Sequence, residues 1–178
     1  MASTIARTNF EPKSDFLSLP RWSFPLADGT LSDPTNAVAL IDGEWMCVQD
    51  DGLTVVRATD VTTTGAEPST ADNDFYPVWA EKGRYDTQAL SSKMVPLIYG
   101  GFWIADTRIF DATAVVGSGA AIAHTGQGLK VATIVLSGRK VTGLVGHGGS
   151  GDAAKVVARV TKLATVNGGK LQIRSVYR

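Results

Sequence analysis

From Ala112 to Arg178 the chain leaves room for little besides β-structure. The runs "ATAVVG", "AAIAHT", "LKVATIVLS", "RKVTGLVG", "AKVVARVTKL" and "KLQIRSVY" are dense in β-branched residues and separated by glycine-containing turns. β-branched side chains lose rotamer freedom in a helix, and each interior glycine costs a helix about 1 kcal/mol relative to alanine. Many short strands at roughly 8–12-residue spacing argue for an all-β barrel or sandwich. "DAAKVVARVTKLA" is ambiguous, since its start favours a helix and its Val-rich remainder a strand. A strand is expected, because Asn167-Gly168-Gly169 would then join it to residues 170–177 as a hairpin. Gly138 and Arg139 are expected to form another tight turn.

The preceding part, 36–111, carries strand signals too. "AVALI", "EWMCVQ" and "LTVVRA" are separated by Asp42-Gly43 and Asp50-Asp51-Gly52, which predicts a three-stranded meander. Residues 59–74 are rich in turn formers and predict a surface loop. "FYPVWA" reads as a short edge strand, because Pro77 cannot donate to a central ladder. Residues 83–95 could hold one helical turn. "PLIYGGFWIADTRIF" predicts two strands with a bend at Gly100-Gly101.

Residues 1–35 predict an extended arm. Pro12, Pro20, Pro25 and Pro34 each remove a donor and bias the preceding residue towards extended conformations. Phe10, Phe16, Trp22 and Phe24 lie among them, more apolar bulk than a mobile linker needs. The arm is therefore expected to lie on a surface, either that of its own domain or that of a neighbouring subunit. The fold class that results is mainly β, with an extended N-terminal arm and little helix.

Charge divides the chain. The formal net charge is zero, yet residues 1–111 hold 16 Asp and Glu against 8 Lys and Arg, while residues 112–178 hold one acid, Asp152, against 9 bases. Thirteen of the fourteen aromatics lie at or before Phe110. The 112–178 segment is therefore basic but has only Tyr177 as a stacking platform, which disfavours a single-strand nucleic-acid binder. No zinc-finger or helix-turn-helix spacing is present. No apolar run approaches the roughly 20 residues that span a bilayer, and the first residues lack the apolar centre of a secretory signal. A soluble, non-exported protein is expected. The single cysteine, Cys47, excludes an intramolecular disulfide and is expected to be a buried, inert thiol.

Catalytic motifs fail their own tests. "GHGGSG", Gly146 to Gly151, matches G-x-G-x-x-G after a strand-like run, but no Asp or Glu follows Asp152 to bind a ribose. A tight loop at the rim of a barrel is the better reading. "GSGAA" lacks the Lys-Ser/Thr pair of a phosphate loop. His124 and His147 lack metal-ligand spacing with Cys47 or with an acid cluster. "DND" at 72–74 lacks the later glycine and glutamate of a calcium loop. No serine sits in a G-x-S-x-G elbow. No enzymatic activity, cofactor or small-molecule substrate is expected.

The bases suit another use. In "KLQIRSVY", Leu171, Ile173 and Tyr177 alternate with Lys170, Gln172 and Arg174, so one face would be buried and the other basic. In the preceding strand Val156, Ala158 and Val160 would face inward, and Lys155 and Arg159 outward. Like charges on one face of paired strands repel, and no acid lies nearby in sequence. An acidic surface would relieve this, whether from the first part of this chain, a sibling subunit or a larger assembly. Phe10, Phe16, Trp22, Phe24, Lys155, Arg159, Lys170 and Arg174 are thus the candidate partner-contact residues.

The ending "AKVVARVTKLATVNGGKLQIRSVY", with the Gly-, Ala- and Val-rich run before it, resembles the C-terminal hairpin of tailed-phage capsid decoration (cement) proteins over the last 60 to 70 residues. The resemblance implies a small, tulip-like β-barrel, often trimeric, on the outer capsid surface of the virion. It would be assembled in the host cytoplasm and would bridge major capsid proteins against internal DNA pressure. A tail or head-completion β protein is a second reading. A module binding a polyanion, either nucleic acid or carbohydrate, is a third.

Overall fold

Glycine punctuation and β-branched runs become strands, eleven among the described residues, which contain no helix. The structure, a computed structural model, describes residues 9–13, 20–25, 41–49, 52–57, 74–79, 94–113, 119–136, 138–165 and 169–176. The main sheet has six antiparallel strands in the order β1-β7-β11-β10-β8-β9 and curls into a half-barrel. Its strands are β1 (Phe10–Pro12), β7 (Ile104–Thr107), β8 (Gly128–Leu136), β9 (Arg139–Gly146), β10 (Ala158–Lys162) and β11 (Leu171–Ser175). β2 (Arg21–Pro25) pairs with β6 (Met94–Ile98). A third sheet has the order β4-β3-β5, from β4 (Val55–Arg57), β3 (Trp45–Val48) and β5 (Asp74–Pro77).

Alternation along each strand builds the core. Leu171 and Ile173 of β11, Ala158 and Val160 of β10, Leu129 and Val131 of β8 and Ala105 of β7 point to one face. There they meet Phe10, Trp45 and Trp103, with the Phe10 ring edge-on to Trp103 at 5.6 Å. A second cluster gathers Phe24, Met46, Tyr76, Val95 and Leu97 from the two smaller sheets. The β8–β9 hairpin is covered on its other face as well, by Ile109 against Ala132, Ile134, Val141 and Val145.

Several expectations hold in the structure. "DAAKVVARVTKLA" supplies a strand, and β10 pairs with β11 antiparallel, as a closing hairpin requires. Asn167 and Gly168, the expected turn, lie outside the described residues. β5 is an edge strand ending at Pro77, and Gly100 and Gly101 make the bend between β6 and β7 with φ of 81° and 74°. Cys47 is buried.

Other expectations are corrected. "EWMCVQ" and "LTVVRA" pair as expected, β3 with β4, but the second neighbour of β3 is Asp74–Pro77, and most of "AVALI" lies outside the described residues. Two local runs across a tight turn were the simplest pairing, but β3 recruits its second neighbour from about thirty residues on. The β8–β9 turn falls one residue earlier than expected. Leu136 pairs with Arg139, so Arg139 begins β9, and Gly138 lies in the turn at φ 79°. "AAIAHT" forms no strand, because only Ala120 reaches β9, through a single bridge to Gly146. The possible helical turn at 83–95 lies largely outside the described residues.

Candidate functional site

The glycine motif "GHGGSG" has the spacing of a ligand loop. It leaves β9 at Gly146 and is closed by its own acid. The Asp152 carboxylate accepts the Gly148 N–H at 2.9 Å through Oδ2 and the Ala154 N–H at 3.1 Å through Oδ1. The Lys130 ammonium, on a side chain only 1% exposed, lies 3.0 Å from Asp152 Oδ2. Burial alone would push the Asp152 carboxyl up. The two backbone N–H groups and Lys130 outweigh burial and hold it below its usual value. In a dinucleotide site the Gly148 N–H would face a pyrophosphate. Here that anion position belongs to Asp152.

His147 is equally committed. Its Nδ1 accepts the Gly149 N–H at 3.1 Å, and its Nε2 donates to the Ala154 carbonyl at 2.9 Å, which fixes the tautomer. His124 is exposed, with Nδ1 3.0 Å from the Thr125 carbonyl. Among the described residues no group of three or more His, Cys, Asp or Glu side chains is assembled that could hold a metal ion.

The outer face of β1, β7, β11 and β10 carries the charge. Glu11 and Asp106 are cross-strand partners, two acids directly opposed. Lys13 relieves them, with Nζ 3.1 Å from Glu11 and 3.3 Å from Asp106. Lys170 also pairs with Glu11, while Gln172 Nε2 donates to Asp106 at 3.3 Å and Thr161 Oγ1 to Gln172 at 3.1 Å. A ladder of polar contacts thus crosses four strands. Hydrogen bonds from Lys170 and then Lys13 hold the Glu11 carboxyl below its usual value, and Glu11 raises the Lys13 ammonium.

At the other end of this face Arg159 and Arg174 are cross-strand partners. Arg159 donates to the Gly126 carbonyl at 3.0 Å. Among the described residues no carboxylate lies within ion-pair distance of either guanidinium.

Further exposed apolar groups lie on β2, at the two ends of β6 and past the bend that follows it. Tyr99 N–H donates to the Pro20 carbonyl at 3.0 Å, and a Cβ on Gly101 would touch the Pro20 ring at 3.0 Å. Trp22 (65% exposed), Phe102 (62%), Tyr99 and Met94 stand out from these strands and their bend.

The eight candidate contact residues therefore divide. Phe10 and Phe24 lie in the chain's own core, because the two strands that carry them are taken into its sheets, and they offer no surface. Trp22, on the same strand as Phe24, is exposed. Phe16 lies outside the described residues. Lys155 pairs with Asp74 and Lys170 with Glu11, so acids from the first part of the chain already neutralise both. Lys155 precedes β10 rather than pointing out from it. Arg159 and Arg174 point outward as expected. Sequence reasoning missed Phe102, Tyr99 and the buried Lys130–Asp152 pair. Only the Gly100-Gly101 bend hinted that the aromatics beside it turn outward.

No protein-family model, curated protein or solved structure matches this chain.

Proposed function

We propose that this chain is a non-enzymatic virion structural protein, a capsid cement or decoration protein that bridges major capsid proteins on the outer surface of a phage head. One observation carries the reading, together with the resemblance of the C-terminal hairpin. Trp22 and Tyr99 lie diagonally across β2 and the end of β6, and Phe102 follows three residues on at the bend, all three exposed. Large exposed aromatics gathered at one place mark a contact surface with a macromolecule. A cement protein needs such a surface rather than a pocket. Its mechanism is multivalent bridging, in which several weak contacts made by one oligomer, expected to be a trimer, add to a strong hold.

The test uses capsids assembled from the major capsid protein encoded in the same genome. Added protein should bind saturably and raise the temperature at which the shell opens. Trp22→Ala combined with Phe102→Ala should weaken that binding by an order of magnitude or more, since aromatic hot spots commonly contribute about 2 kcal/mol or more. Light scattering on the purified protein checks the trimer. Absence of binding to those capsids overturns the reading.

A further inference from the structure

We infer that Arg159 and Arg174, with Phe102 and Ile104 beside them, form a docking site for an acidic protein segment, in which carboxylates flank an apolar side chain. The outer face of the main sheet contains the same arrangement twice, with opposite sign. Glu11 faces Asp106 across β1 and β7, and Arg159 faces Arg174 across β10 and β11. Directly opposed like charges destabilise a strand pair. The acidic pair has Lys13 between its members, at 3.1 and 3.3 Å. The basic pair has no such counterion among the described residues, only the neutral Gly126 carbonyl that Arg159 reaches. What Lys13 does for the acids, a carboxylate from outside does for the bases.

The surroundings favour a protein over a nucleic acid. Arg174 pairs on its other side with Ile104 of β7. Ser175 N–H donates to the Trp103 carbonyl at 2.9 Å, so the pairing continues one step past the strand. Exposure alternates there. Trp103 is buried, and Phe102, on the side of Ile104, is exposed. Lys162, exposed and opposite Gln172 beyond the bulge in β10, adds a third base. Guanidinium groups bind carboxylates bidentately, and Arg beside an aromatic is a common interface anchor. Single-strand nucleic-acid binders instead need a run of aromatic platforms along a basic groove. The inference does not depend on the capsid reading, because it names a partner chemistry and not a partner.

Two measurements test it. The first is a thermal cycle on the isolated protein. Arg174→Glu places an acid opposite Arg159 and should raise the melting temperature by about 1–4 °C. Adding Arg159→Glu opposes two acids again and should cancel the gain. A single variant that melts no higher than the parent overturns the premise that the pair repels. The second is titration with a labelled peptide alternating glutamate and leucine, beside a glutamine–leucine control and a single-stranded DNA of equal charge. The acidic peptide should bind at low salt. Binding should fall roughly tenfold or more in the doubly reversed variant, and as salt rises. That variant retains a like-charge pair but loses the Arg159–Gly126 hydrogen bond, so its melting temperature should fall slightly below the parent's, and binding is compared at a temperature where both are folded. Equal binding of the control, no loss on reversal, or tighter binding of DNA than of the peptide each overturns the proposal, the last by assigning the patch to nucleic acid.

Discussion

The Lys130 ammonium, wholly buried, lies 3.0 Å from the largely buried Asp152 carboxylate and ties the start of β8 to the loop that follows β9. The loop is thereby held by an ion pair as well as by backbone bonds from Gly148 and Ala154. Removing one partner of a buried pair takes that counter-charge from the other, which costs up to about 3–5 kcal/mol. Asp152→Ala should therefore lower unfolding free energy by that order in urea denaturation. Replacing both partners together, Lys130→Met with Asp152→Ala, should recover a good part of the loss. A double variant as unstable as Asp152→Ala alone would show that the carboxylate acts through the backbone N–H groups and not through Lys130.

The same pair sets an acid limit on stability. The Asp152 carboxyl titrates below its usual value when folded, despite its burial. Its stabilisation is then fully present above the unfolded pKa, about 3.9, and is lost as pH falls through the lower folded value. Glu11, held low by Lys170 and Lys13, acts in the same direction but is well exposed, so its share is small. The melting-temperature gap between the parent and Asp152→Asn should be constant from neutral pH to about pH 5, and should narrow below about pH 4. A gap independent of pH down to strongly acidic solution would exclude the carboxylate charge as its source.

The first strand offers a contrast between core and surface at adjacent positions. Phe10 is fully buried against Trp103, with its backbone N–H held by Asp42 Oδ2 at 3.2 Å. Phe10→Ala should cost about 3–5 kcal/mol, since a large cavity opens under the half-barrel. Glu11→Gln, one residue on, loses ion pairs to half-exposed lysines and should cost less than about 1 kcal/mol. Chemical denaturation of the two variants side by side measures both. A small loss for Phe10→Ala would mean that β1 does not close the core.

These residues show what was readable in advance. The alternation in "KLQIRSVY" placed Leu171 and Ile173 inward and Gln172 and Arg174 outward correctly, because a period of two is a property of the strand alone. That the "GHGGSG" loop would close on Asp152 was not readable, because Gly148 and Ala154 meet its carboxylate only in the folded loop. Hidden were the partners of Lys155 and Lys170, because Asp74 and Glu11 lie 81 and 159 residues away and meet them only through sheet order. The difference between Phe24, buried, and Trp22, exposed, was hidden too. Both lie in the same proline-bounded strand, and only the elements packed above them distinguish the two. The pairing of β5 with the edge of β3 that β4 leaves free is a third case, in which tertiary context brought in a strand from about thirty residues on.

The glycines of the "GHGGSG" loop provide the last prediction, because a phosphate-binding role and a structural role rank them differently. In a dinucleotide loop all three motif glycines are needed for the turn, for approach to the ligand and for packing. Here a Cβ on Gly146 would stand 2.3 Å from the Ala120 carbonyl oxygen and 2.8 Å from that of Ala121, both backbone atoms that cannot swing aside. Gly146→Ala must therefore push residues 120–121 off β9, breaking the Ala120–Gly146 bridge, at a cost of about 1–3 kcal/mol. A Cβ on Gly151 would meet nothing within 4 Å, and its backbone is not in the left-handed region. Gly151→Ala should thus be neutral, or stabilising by about 0.4–1 kcal/mol through the unfolded chain. Gly149 has open space but φ of 91°, so Gly149→Ala should fall between the two, destabilised by backbone strain alone. Urea midpoints for the three variants test the order. A large loss for Gly151→Ala would contradict the structural reading, because it would demand a contact at that glycine which the fold does not make.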